Sequence, residues 1–201
     1  MRLILASASP RRRELLAQAG YNFKVRAAHI NEDLRPGEDP MAYVTRLARE
    51  KAEAVMAEIQ SNDRDAGDAE PTVILGADTT VTLDGHILAK PEDAADARRM
   101  LGLLSGRTHR VITGVAVVSG RAPHKRCDVA GEVTAVRFLT LSPEEIAAYV
   151  ATGEPMDKAG AYAIQGRAAK WIPRIEGDYF NVVGLPLALV ASMLESLRSM
   201  S

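Results

Sequence analysis

Short, uninterrupted apolar runs alternate along this chain with segments of helical period, and that alternation restricts the fold more than any other feature. Arg2–Ala6 (RLILA) and Thr72–Leu75 (TVIL) read as buried strands. Between them, Ser9-Pro10 supplies an N-cap with proline at the first helical position, so a helix follows and ends near Gly20. From Pro40 to about Ile59, Tyr43, Val44, Leu47, Ala48, Val55 and Ile59 recur at helical spacing opposite a charged face, which predicts a long amphipathic helix. Thr80 to Leu88 reads as a hairpin turning at Asp84-Gly85. Glu92 to Leu104 is helical in pattern, and Arg110 to Val118 and Glu132 to Leu141 are β-rich. Ser142-Pro143-Glu144-Glu145 is a capping box opening a helix to about Val150, and a last helix begins near Leu185 or Pro186. The alternation predicts an α/β fold, a mixed β-sheet with helices on both faces and antiparallel pairs in its middle. Ser61 to Glu70 has almost nothing to bury and is expected to be an exposed loop.

The chain's 201 residues, 47% of them hydrophobic, suffice for one domain or for two lobes sharing a core, and pattern alone does not choose. Twenty-five Lys and Arg stand against 26 Asp and Glu, a formal net charge of -1, so no overall field favours nucleic acid or membranes. Any anion site must be local. The single cysteine, Cys127, has no partner for an internal disulfide and no zinc-site neighbours, which fits a reducing compartment. Arg2 and the apolar residues after it imitate the start of a secretory signal, but Ser7 to Arg13 breaks the run too early. No stretch approaches the roughly eighteen apolar residues of a membrane span. A soluble, cytoplasmic protein is expected.

Arg11, Arg12 and Arg13 occupy the first turn of a predicted helix, where each cation is disfavoured by roughly 0.3–1 kcal/mol against the macrodipole. An anion explains the inversion, with helix N–H groups, guanidinium forks and the hydroxyls of Ser7 and Ser9 holding phosphate oxygens. The alternative is a solvated basic turn. Asp78 lies just past a buried run, in the position where open α/β sheets collect ligands. It reads equally as a general base or metal ligand and as a turn aspartate capping Thr79-Thr80. Lys51 and Lys90 carry weak signals of their own. Gly153 to Gly166 (GEPMDKAGAYAIQG), with polar Glu154, Asp157, Lys158 and Gln165, reads as a site loop or an ordinary turn region. Gly177 to Asn181 reads as a turn before a buried run.

Walker A, G-x-G-x-x-G, H-E-x-x-H and G-x-S-x-G patterns are all missing. His29, His86, His109 and His124 stand too far apart for ligand spacing and are expected at the surface or in hydrogen bonds.

Seven blocks in order, LASASPRRRELL, LAREKA, GADTTV, AKP, LSGRTHRVITG, GEPMDKAGAYAIQG and GDYFNVVGLPL, resemble the Maf family over nearly the whole length. The resemblance implies a single Maf-like domain over residues 1–201. Its fold would be two lobes around a cleft, related in shape to the inosine triphosphate pyrophosphatases. It also implies cleavage of nucleoside triphosphates between the α- and β-phosphates with Mg²⁺, Mn²⁺ or Co²⁺ assisting. Matched by position, Asp78 is the proton acceptor, and Arg11, Thr79 and Gln165 are the positions associated with substrate choice. Ser7, Ser9, Arg12, Glu32, Lys51 and Lys90 are polar positions of the cleft, expected to bind phosphate, support the metal (Glu32 with Asp78) and neutralise charge. Gln165 in AYAIQG resembles the dTTP/UTP branch rather than the 7-methyl-GTP branch. Ala163 departs from a common glycine, and Asn31 stands where an acid often precedes Glu32. A small-molecule nucleoside triphosphate is the expected partner, without membrane or nucleic acid, and a homodimer is compatible. The rival readings are a purine (ITP or XTP) pyrophosphatase and a non-catalytic nucleotide- or nucleic-acid-binding regulator of cell division.

Overall fold

The computed structural model of the protein describes residues 1–62, 71–120 and 125–198. Its strands are β1 (Arg2–Ala6), β2 (Phe23–Val25), β3 (Thr72–Leu83), β4 (His86–Leu88), β5 (Thr108–Ser119), β6 (Arg126–Arg137) and β7 (Arg174–Glu176). The helices are α1 (Pro10–Gln18), α2 (Pro40–Asn62), α3 (Ala94–Leu104), α4 (Pro143–Val150), α5 (Tyr179–Val183) and α6 (Leu187–Arg198), with short 3₁₀ turns at Glu154–Asp157, Ala159–Ala161 and Arg167–Trp171. One seven-stranded sheet runs β2-β1-β3-β5-β6-β7, with β4 attached to β3. β1 pairs in parallel with β2 and β3, and the remaining pairs are antiparallel.

Both faces of the central strands are covered, which is why they read as continuous apolar runs. Leu3, Leu5, Val73 and Leu75 point to one face and pack with Leu15 and Leu16 of α1 and Leu194 and Leu197 of α6. Their neighbours Ile4, Ala6 and Ile74 point the other way, onto Ala48, Ala52, Val55 and Ile59 of α2. A third cluster, around Leu101, Phe138, Tyr149, Tyr162 and Trp171, forms a second lobe from α3, α4 and the 3₁₀ turns. β3 and β5 contribute to the cores on both sides, Val73 and Leu75 to one and Val81 and Leu83 to the other.

The predicted local signals hold where the chemistry is local. Ser9 caps α1 with proline in its first turn, Ser142 and Glu145 form the capping box, and Asp84 (φ 52°) and Gly85 (φ 80°) make the two-residue hairpin turn. β3 differs from expectation: it does not stop at Leu75 but continues through Gly76-Ala77-Asp78-Thr79, each residue paired to β5. Asp78 is therefore inside a strand, two residues beyond Gly76, the last residue of β3 paired with β1. Gly76 is there for close approach rather than for a turn. A Cβ on Gly76 would lie 2.1 Å from the Ala48 carbonyl oxygen, and one on Gly114 would lie 2.4 Å from that of Val44. The two glycines let the α2 backbone lie directly on β3 and β5, which brings Lys51 over Asp78.

β6 spans Arg126–Arg137 instead of Glu132 to Leu141, and α5 replaces an expected turn. Ser61 and Asn62 finish α2, while residues 63–70 of the expected loop, and His124, lie outside the described residues. His29 and His86 are exposed. His109 is buried, its Nε2 2.7 Å from the Tyr162 hydroxyl, and burial pulls its pKa down to about 4. It is a neutral core residue. No described helix is long and apolar enough to cross a membrane.

Candidate active site

The end of β1, the first turn of α1 and the middle of β3 meet beneath the second lobe, and the space between them is a cleft of about 540 Å³. Every residue expected at the site lines it: Ser7, Ser9, Arg11, Arg12, Glu32, Lys51, Asp78, Thr79, Lys90 and Gln165.

The arginine triplet divides. Arg13 is exposed and lies away from the cleft, whereas Arg12 is turned inward and buried. Its Nε donates to the Gly184 carbonyl at 2.8 Å, Nη1 to Ser7 Oγ at 3.3 Å and Nη2 to Thr79 Oγ1 at 3.0 Å. Burial pulls this guanidinium below its usual pKa, with Asp78 acting in the opposite sense and Arg11 reinforcing it. An arginine remains charged under such perturbation, so Arg12 is a fixed cation in the cleft wall. Arg11 is more open and sits 3.6 Å from Asp157. Ser9 Oγ accepts from the Arg12 backbone N–H as the cap, at 3.5 Å.

Behind Arg12 stands the Gly177–Leu187 block. Asn181 Nδ2 donates to the Val111 carbonyl and to Thr134 Oγ1, and Thr113 Oγ1 donates to the Asn181 carbonyl while lying 2.9 Å from Thr79 Oγ1. These buried bonds hold the turn that presents Gly184. What read as a bland turn is the support of the arginine.

At the cleft floor, Asp78 is 8% exposed, and its Oδ1 accepts from Lys51 Nζ at 2.6 Å. Glu32 Oε1 lies 2.7 Å from the same nitrogen. One ammonium thus joins two carboxylates, leaving the trio with one net negative charge. Burial would raise the Glu32 pKa, but the hydrogen bond from Lys51 and the charges of Lys51, Lys90 and Arg12 outweigh it, so its carboxyl is held below the ordinary range.

Asp157 and Lys158, polar members of the segment that reads as a site loop or a turn region, also line the cleft, as does Tyr43, which the sequence does not mark as a site residue. Tyr43 belongs to the apolar stripe of α2 in the sequence, yet its hydroxyl donates to the Glu32 carbonyl at 2.9 Å and holds the segment carrying that residue. Burial, together with the charges of Asp78 and Glu32, pushes its pKa up to about 12. Ala163 adopts no positive φ, so alanine in place of glycine costs no backbone strain there. Asn31 Oδ1 accepts from the Asp33 N–H at 2.8 Å, a local turn just ahead of the α2 segment.

Five cations (Arg11, Arg12, Lys51, Lys90 and Lys158) face three carboxylates (Glu32, Asp78 and Asp157) in the cleft of a chain whose net charge is -1. Such a surface can hold a polyanion against a carboxylate capable of taking a proton. Among the described residues no three His, Cys, Asp or Glu converge as a protein-only metal cage. The convergence of Glu32 and Asp78 fits a hard divalent ion bound by one or two carboxylates with substrate phosphates completing its shell.

A family model described as Maf-like protein matches residues 2–197. The chain is 52% identical to a dTTP/UTP pyrophosphatase of Koribacter versatilis (strain Ellin345), over 96% of this chain and 93% of the relative. It is 52% identical to one of Moorella thermoacetica, at 96% and 93% coverage, and 51% identical to one of Geobacter sulfurreducens, at 99% and 98%.

Proposed function

The chain belongs to the Maf family, and on that premise we propose that it hydrolyses dTTP and UTP to the nucleoside monophosphate and pyrophosphate. The observation that carries the proposal is the buried Asp78 carboxylate at the floor of a locally cationic cleft that also contains Gln165. In this reading Asp78 takes a proton from water, whose oxygen bonds to the α-phosphorus as the bond to the β-bridging oxygen breaks and pyrophosphate departs. Oδ1 already accepts from Lys51, which leaves Oδ2 as the oxygen to take the proton.

A triphosphate carries about four negative charges, and its cleavage depends mainly on positioned positive groups. Arg12, fixed by three protein acceptors, offers charge that needs no reorganisation when the leaving group develops its own. Arg11 and Lys90, with fewer protein contacts, are free to follow the phosphates. Glu32 and Asp78 are the residues that would hold a divalent cation (Mg²⁺, Mn²⁺ or Co²⁺), which supplies charge neutralisation at the phosphates. Lys51 keeps the two carboxylates together and limits their mutual repulsion.

Gln165 is exposed to the cleft, and its side chain makes no hydrogen bond to any described residue. Its carboxamide can donate to O4 and accept from N3–H of uracil or thymine, whereas cytosine presents the reverse pattern. Hydrolysis across UTP, dTTP, CTP, ITP, XTP and GTP at one metal concentration tests the proposal. UTP and dTTP are expected to lead in kcat/KM; a lead for ITP or XTP would move the chain to purine substrates. Binding without turnover on every nucleotide would make it a non-catalytic binder.

A further inference from the structure

Gln165 has no side-chain bond of its own to any described residue, so its aim into the cleft is set by its backbone, and the two ends of that backbone segment are held by two side chains bonded to each other, Tyr149 at one end and Glu154 at the other. The Tyr149 hydroxyl accepts from the Ala163 N–H at 3.3 Å and donates to Glu154 Oε1 at 2.8 Å. Glu154 in turn accepts from the Arg167 N–H, at 3.1 Å through Oε1 and 3.3 Å through Oε2. Between these anchors the segment turns on a bond from the Gly166 N–H to the Ala163 carbonyl at 3.1 Å. The carboxylate also rests against the turn: a Cβ on Gly166 would stand 1.9 Å from Glu154 Oε1. That is a site only glycine can fill while Glu154 keeps this position.

The anchor itself is rigid. Tyr149 is buried at the end of α4, with its ring edge-on to Trp171 at 5.0 Å. Burial first, and then the bond to Glu154 and its charge, raise the phenol pKa above its normal value, so the hydroxyl stays protonated and can donate. Its geometry is therefore passed from the core of the second lobe to the tip of the loop.

We propose that Tyr149 and Glu154 are positioning residues for base recognition, holding Ala163–Arg167 so that the Gln165 carboxamide meets the pyrimidine edge. The proposal rests on the reading that Gln165 contacts the base. A site that selects by hydrogen bonds loses selectivity when its polar group is free to wander, because several orientations then satisfy the wrong base as well.

Tyr149→Phe removes the hydroxyl and leaves the ring in its aromatic stack. It is expected to lower the UTP/CTP ratio of kcat/KM by about tenfold, while inhibition by inorganic pyrophosphate, which has no base, stays as in the wild type. Glu154→Ala should do the same, and Glu154→Gln, which keeps an acceptor at the Oε1 position, should retain most of the ratio. Hydrogen–deuterium exchange provides a readout independent of turnover. Amides of Ala163–Arg167 should exchange faster in Tyr149→Phe, with α4 and β6 unchanged. Unaltered exchange in that segment, or an equal fall in kcat/KM for all nucleotides with the ratio preserved, overturns the proposal. A wild type without preference for UTP over CTP would instead overturn base recognition by Gln165, and the exchange data would still decide whether the pair tethers the loop.

Discussion

Asp78→Asn is expected to lower kcat by about 10²–10⁴-fold while leaving nucleotide affinity within a small factor of the wild type. The amide has the same shape and can still accept the 2.6 Å hydrogen bond from Lys51, so the cleft floor keeps its form. What it loses is the capacity to take a proton from water. Because Asp78 is also proposed to hold a divalent ion, affinity should be measured with a non-hydrolysable triphosphate analogue both with and without the metal. A fall in affinity confined to the metal-containing titration would report the ligand role, and a fall in kcat at saturating metal and nucleotide would report the base. A folded variant with near wild-type kcat at saturation would reduce Asp78 to the ion-pair partner of Lys51.

Gln165→Glu is expected to lower the UTP/CTP ratio of kcat/KM by roughly ten- to over a hundredfold. A carboxylate repels the O4 of uracil and thymine but accepts from the cytosine amino group, so the change acts on the two bases in opposite senses. The Gln165 side chain contributes no described hydrogen bond to the fold, and stability should hardly change. Parallel kcat/KM measurements for UTP, dTTP and CTP check this. An unchanged ratio removes Gln165 from base selection.

Much of the scaffold was legible because its determinants are local. Ser9-Pro10, the Ser142–Glu145 capping box and Asp84-Gly85 each carry their own backbone geometry in two to four residues, and each stands where it was expected. β3 reads as two pieces in the sequence because Gly76, Asp78, Thr79 and Thr80 interrupt its apolar run. Their reasons lie elsewhere in the chain: Gly76 answers to the Ala48 carbonyl on α2, and Asp78 to Lys51 on the same helix. The first half of β6 is half-exposed from Arg126 onward, and a strand with so little to bury gives no period to read.

The site was legible as a list more than as a mechanism. All ten expected residues line one cleft, yet the pattern of bonds among them could not be read from spacing. Nothing in a triplet of arginines says which one turns inward. Arg12 does so because Ser7, Thr79 and Gly184 converge from three segments to receive it, and Gly184 depends on the buried Asn181 and Thr113 bonds. Tyr43 and Tyr149 are not legible as site residues for a related reason, since a tyrosine counts as apolar in a helical stripe while its hydroxyl does the positioning.

The most direct test of the central claim is to hydrolyse UTP in ¹⁸O-labelled water and locate the label by mass spectrometry or phosphorus NMR. With water attacking the α-phosphorus, one ¹⁸O should appear in UMP and the released pyrophosphate should carry none. Label in pyrophosphate would place the attack at the β-phosphorus, and orthophosphate as the first product would mean cleavage at the γ-phosphate; either result would contradict a pyrophosphatase that directs water from Asp78 to the α-phosphorus.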